Sequence, residues 1–206
     1  MIKSKQDYIL YLEADRIALN RKRYSIYSFL FDDVWNFQRL LRKVEYLYNC
    51  KSGFFWKCIK WLFYLRLLRY RNMFMVPVNT CGAGLSISHP GSIIINALCK
   101  IGNNFHVHPG VVLGRGKSDD EVPILGNNVH LGPGVKIIGP VFIGDNTVVA
   151  ANAVVTKSFP EGNCTLGGAP AKVISNTTSI TPYEKAGRGL VVQGYEKAVL
   201  SVGSDL

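Results

Sequence analysis

Histidine is the side chain whose ordinary pKa lets it take up and return a proton near neutrality, and the four histidines of this 206-residue chain, His89, His106, His108 and His130, all fall in its middle third. They are the natural candidates for proton-transfer chemistry. His89 lies in SISHPGSIIIN, at a position where the surrounding pattern places apolar side chains, so an imidazole there needs a reason. His108 lies in HPGVVLG, and His106 and His130 read as surface histidines near turns. The chain has no phosphate-cradling loop, no nucleophilic Ser-His-Asp order and no metal-ligand spacing. Its five cysteines, Cys50, Cys58, Cys81, Cys99 and Cys164, are an odd count without a C-x-x-C pair, which fits reduced, cytosolic thiols.

The elements that must position these residues follow a repeat of six. Leu125, Leu131, Ile137, Ile143, Val149 and Val155 keep that spacing without a slip, and Val129, Val135, Val141, Thr147 and Ala153 each follow a member of the series by four residues. A helix would need spacing near 3.6 and a lone strand near 2. A coil of short strands satisfies six, each unit forming one flat side and stacking its apolar side chain on the unit before. Ile95, Ile101, Val107 and Leu113 extend the first register backwards, and Ile87, Ile93, Cys99, Phe105 and Val111 extend the second. Between Leu113 and Leu125 the pattern fails, and GRGKSDDEVPI reads as a charged loop thrown out from the coil.

The net charge of +10 is concentrated at the front: residues 1–75 hold 15 Lys and Arg against 6 Asp and Glu, whereas residues 76–175 hold 6 against 5. Apolar spacing predicts helices over 7–18 and 32–48, with Asp32 or Asp33 as a cap. Residues 54–76, FFWKCIKWLFYLRLLRYRNMFMV, mix aromatic and basic side chains. Such a segment either docks its apolar face on protein or lies on an anionic membrane surface, at the inner face of the membrane. The positive charge follows no nucleic-acid reading motif. Nothing at the amino terminus reads as a signal core, and no stretch approaches the roughly 20 apolar residues of a membrane span, so a cytoplasmic protein is expected. Three regions follow: a helical front (1–75), a coil (76–175) and an appendage (176–206), where Tyr183 to Leu200 could add a strand or helix.

Over residues 76–175 the segments SISHPGSIIIN, IGNNFHVHPGVVLGRGK, LGNNVHLGPGVKIIGPVFIGDNTVVAANAVVTKSFPEG and GGAPAKVIS resemble the hexapeptide-repeat acyltransferases, in particular the serine acetyltransferase branch and its surface-polysaccharide relatives. The resemblance implies a mainly β fold, a left-handed parallel β-helix behind a short helical front, assembled as a homotrimer with active sites between subunits, and acetyl-coenzyme A as donor with no metal. It places His89 on the family's catalytic histidine and His108 beside it on a neighbouring coil. It also places Pro133, Ala151, Thr156, Lys157 and Lys172 where contacts to the coenzyme are expected.

The chain departs from the serine acetyltransferase pattern. The aspartate that precedes the catalytic histidine is Ser88 here, a second, orienting carboxylate falls by ungapped counting on Phe74, and Glu121 and Val122 stand where an Arg-His pair precedes Pro123. These losses point to the hydroxyl of a sugar, in a surface polysaccharide or its lipid-linked precursor, as acceptor, with L-serine as the alternative and a non-catalytic scaffold as a third reading. Asn79, a backbone carbonyl, or Asp32, Asp33 or Glu45 of the helical front would then orient His89.

Overall fold

The computed structural model describes residues 1–21 and 31–177; the expected appendage lies, from residue 178 onward, outside the described residues. Among the described residues three helices lead: α1 (Lys5–Ala18), α2 (Asp33–Cys50) and α3 (Phe54–Leu68). Ser4 caps α1 by accepting from the Asp7 amide at 3.0 Å, and Asp32 caps α2 by accepting from the Trp35 amide at 3.0 Å, each satisfying a donor that the first helical turn leaves over. Both predicted helices are present.

Fourteen short strands follow among the described residues, in three sheets. The first stacks β1 (Phe74–Met75), β3 (Ile93–Ile95), β6 (Val112–Gly114), β9 (Lys136–Ile138) and β12 (Val154–Val155). The second stacks β4 (Lys100–Ile101), β7 (Ile124–Leu125) and β10 (Phe142–Ile143). The third stacks β2 (Ser86–Ile87), β5 (His106–Val107), β8 (His130–Leu131), β11 (Val148–Val149), β13 (Thr165–Gly167) and β14 (Lys172–Ser175). All pairings are parallel except β13 with β14. From β1 to β13 successive strands belong to different sheets, so the chain winds a three-sided coil as the period of six requires. With these helices ahead of the coil, the described residues are a mixture of helix and strand rather than mainly β.

Both six-residue series point inward and are buried. Ile87, Val107, Leu131, Val149 and Leu166 form one interior column, each 0% exposed. Burial of such side chains, at about 1.5–3 kcal/mol each, is what a single unit lacks and a stack supplies. At one corner Asn104, Asn128, Asn146 and Asn163 adopt positive φ, which asparagine tolerates better than most residues, and their side-chain amides bond from coil to coil at 2.8–2.9 Å.

The first coil has no coil beneath it, and its backbone groups are met by α1 and α2. Arg42 donates to the carbonyls of Cys81 and Gly82, at 3.0 and 2.6 Å, as well as to Asp15 and Glu45. Asp15 accepts from the amides of Gly84 and Leu85, and Gln38 bonds both the carbonyl of Leu85 and the amide of Ile87. Asp15, Gln38, Arg42 and Glu45 are buried to within 1% of complete, so these side chains complete hydrogen bonds that water cannot reach. Val34, Phe37, Leu41 and Val44 of α2 join the same apolar core as the coil.

Candidate active site

Alternation along a strand sends Ile87, Val107 and Leu131 inward and their neighbours outward. The pairings Ser86↔His106, His106↔His130 and Val148↔His130 build one outward column on the third sheet. A second column, Ser88, His108, Gly132 and Ala150, runs beside it through the bonds Ser88 N to Val107 O, His108 N to Leu131 O and Gly132 N to Val149 O. The columns bring His106, His108 and His130 together, half-buried, with ring centroids 4.4, 5.1 and 5.2 Å apart and planes within 8° of parallel. Ser88 Oγ lies 2.6 Å from His106 Nε2.

This cluster is what the sequence reading missed: His106 and His130 lie on strands, side by side, and not as separate surface groups near turns. The signal was the charged loop. It lengthens one coil by six residues, since Lys100 pairs Ile124 where Phe142 later pairs Ile124 at the ordinary spacing, and allowing for it sets His106 directly against His130. Each of the three histidines offers a ring nitrogen within 4.8 Å of the others, a donor set that ligand spacing along the chain does not reveal. A metal lies in the plane of each imidazole that binds it, so these stacked rings would have to turn before they met one ion.

His89 completes the group, its ring centroid 6.5 Å from that of His108. It is exposed and does not occupy the apolar register expected of it. The registers Ile87↔Val107 and Ile94↔Val112 differ by two residues, so this corner carries two residues more than the one above. The surplus pushes His89 and Pro90 outward into solvent. All four histidines therefore face one corner and one outer sheet face.

None of the side chains expected to orient His89 does so. Asn79 bonds Asn49 at 2.8 Å and Glu45 through its own amide at 2.7 Å, Glu45 also holds Arg42, Asp32 caps α2 and pairs with Arg21, and Asp33 opens α2. Phe74 stands in the core against Phe37, with centroids 4.7 Å apart, so it faces no site at all. Val122 is buried as well, at the foot of a loop that closes on itself: Gly116 bonds the Glu121 carbonyl, and the Glu121 carboxylate accepts from the amides of Lys117 and Ser118.

Pro133 and Ala151 are exposed on successive coils of the histidine corner, where Asn152 N bonds Pro133 O at 2.8 Å. Lys172 lies on β14, paired with Gly167 of β13. Thr156 and Lys157 follow β12 at the next corner, and Lys157 Nζ sits 5.5 Å from the ring centroid of Phe159. Lys136, not singled out in the sequence, sets its ammonium on the carbonyls of Gly110 and Gly134 at the histidine corner.

Residues 123–157 match the family model for bacterial transferase hexapeptide (six repeats). The chain is 38% identical over 99 residues to a serine acetyltransferase of Helicobacter pylori, covering 46% of this chain and 56% of that protein. A serine acetyltransferase of Mycobacterium tuberculosis is 31% identical over 103 residues, 49% of this chain and 44% of that protein. The chain thus spans about half the length of the curated relatives it matches. Among solved structures, the serine acetyltransferase of Brucella abortus in complex with coenzyme A superimposes with a TM-score of 0.64 at 26% identity, covering 82% of this chain and 68% of that one. These findings overturn the expectation of a polysaccharide sugar as acceptor. That expectation rested on three departures, Ser88, Phe74 and the pair Glu121 and Val122, and the ungapped count behind the second put a missing carboxylate on a residue that the fold buries in the core.

Proposed function

We propose that this chain is a serine O-acetyltransferase: it uses acetyl-coenzyme A and transfers the acetyl group to the hydroxyl of L-serine. The observation that carries the reading is the convergence of all four histidines on one corner of a coil whose relatives bear the name serine acetyltransferase. His89 serves as general base. It takes the proton of the serine hydroxyl as the oxygen attacks the thioester carbonyl, and the C–S bond then breaks to release coenzyme A thiolate, to which the imidazolium returns the proton. His108, on the neighbouring column, positions acceptor or base.

The coil is left-handed, as the likeness to the Brucella abortus structure supports, and three copies assemble with sites between subunits. The donor lies along the corner past Pro133 and Ala151, where small residues leave room for a pantetheine arm, and Thr156, Lys157 and Lys172 meet its anionic end. Loss of a positioned base costs about 10²–10⁴ in turnover. The test is a thiol-release assay with L-serine on the wild type and His89→Ala, with coenzyme A affinity measured alongside. Turnover that falls while affinity holds supports the assignment, and equal turnover in both proteins overturns it.

A further inference from the structure

The mechanism makes no use of α3, yet this helix carries the most exposed apolar surface among the described residues. Phe54, Phe55, Trp61 and Leu62 are 82, 68, 66 and 56% exposed, and Leu65 and Leu68 are exposed too. At 100° per residue these six side chains share one arc of about 140°, while Leu67, on the opposite side, is buried in the core with Phe63 and Tyr70 packed around it. Lys57 borders the arc on one side and Arg66 on the other, with Arg69 just past the helix end, all three exposed. The helix itself contains no acidic residue.

A second feature adjoins the Arg66 edge. A cleft of about 330 Å³ between α1, α2 and α3 is lined by Arg39, Lys43, Arg66 and Arg69 together with Tyr8 and Tyr70. Lys43 Nζ stands 5.5 Å from the ring of Tyr8, and the charge of Asp33 reaches Tyr70, helping to push its phenol upward after burial has done most of it. An apolar stripe bordered by cations, beside a cationic cleft of headgroup size, matches the two layers of an anionic bilayer surface.

We propose that α3 and this cleft form a docking surface for an anionic lipid bilayer, with the stripe seated among acyl chains and the cleft holding a lipid phosphate. Charge selects this occupant over a second copy of the chain. A two-fold contact through the stripe would bring Lys57, Arg66 and Arg69 against their own counterparts with no carboxylate between them. The surface is independent of which acceptor the histidine corner takes.

Flotation of the full chain with vesicles of phosphatidylcholine, and of phosphatidylcholine with 30% phosphatidylglycerol, tests the proposal. At low salt the wild type should float with the anionic vesicles and stay behind with the neutral ones. Trp61→Ser/Leu65→Ser, changed at exposed positions only, should lose flotation while keeping its circular dichroism and turnover. Arg66→Glu/Arg69→Glu, a change of four charges, should lower partitioning roughly a thousandfold. Absence of flotation with anionic vesicles, or undiminished flotation of either variant, overturns the proposal. So does a change in mass of the Trp61→Ser/Leu65→Ser protein by light scattering when the wild type ignores vesicles, because the stripe would then belong to a subunit contact.

Discussion

Replacing Arg42 by Met tests what holds the helices to the coil. The guanidinium is 0% exposed and donates to Asp15 at 2.8 and 3.2 Å, to Glu45 at 2.9 Å and to the carbonyls of Cys81 and Gly82. Burial works against every charge in this group. It raises the Asp15 carboxyl above its ordinary value, although Arg42 pulls the other way, and the attraction of Asp15 and Glu45 keeps Arg42 protonated. Methionine fills a similar volume and supplies none of these bonds. Breaking a buried ion pair from one side costs about 3–5 kcal/mol, and the two orphaned carbonyls cost about 1–3 kcal/mol each. A loss of at least about 5 kcal/mol is therefore expected, against total stabilities of about 5–15 kcal/mol for ordinary domains. Urea unfolding followed by circular dichroism measures it as a fall in midpoint at constant slope. Arg42→Lys keeps a charge without the planar fork and should lose about 2–3 kcal/mol, which keeps the test readable where the Met variant does not accumulate. A loss under about 1 kcal/mol for Arg42→Met would refute the reasoning, since it would mean that the first coil is not closed by these side chains.

Other outcomes follow from burial. Leu131 is 0% exposed in an interior column, so Leu131→Ala should lower stability by about 2–5 kcal/mol in the same assay while leaving the helices in place. Cys58 is exposed, whereas Cys81 and Cys99 are buried, with burial pushing their thiols up to about 12 and about 11. Iodoacetamide at neutral pH should label Cys58 first, and early labelling of Cys81 would contradict the packing. The same shift makes the fold weaken in alkali: folded Cys81 keeps a proton that the unfolded thiol gives up near 9, so its contribution is whole below pH 9 and declines as pH rises towards about 12. Urea midpoints measured between pH 8 and 11 should fall with pH more steeply in the wild type than in Cys81→Ala.

The coil was legible because its signal is long. Leu125 to Val155 repeat a fixed spacing whose physical cause, stacking inside a shared core, acts on every member alike, and the side chains of both series are buried. The site was only half legible. His89 and His108 stood out by motif, but the cluster of His106, His108 and His130 depends on pairing across coils, and the charged loop hides that pairing by lengthening one of them. Serine was set aside on three departures, and one of them came from counting residues through a region of uneven coils, which assigned a site position to Phe74. The clamp formed by Asp15 and Arg42 was invisible to pattern reading, as charged residues on a helix ordinarily face water.

The central claim is that His89 removes a proton from the hydroxyl of L-serine during acetyl transfer. Release of coenzyme A thiol from acetyl-coenzyme A, measured with and without L-serine for the wild type and His89→Ala, tests it most directly. The account predicts serine-dependent turnover in the wild type, a fall of about a hundredfold or more in His89→Ala, and unchanged coenzyme A affinity in both. Serine-dependent turnover that survives intact in His89→Ala, or a wild type that binds the coenzyme and releases no thiol with L-serine, would contradict it.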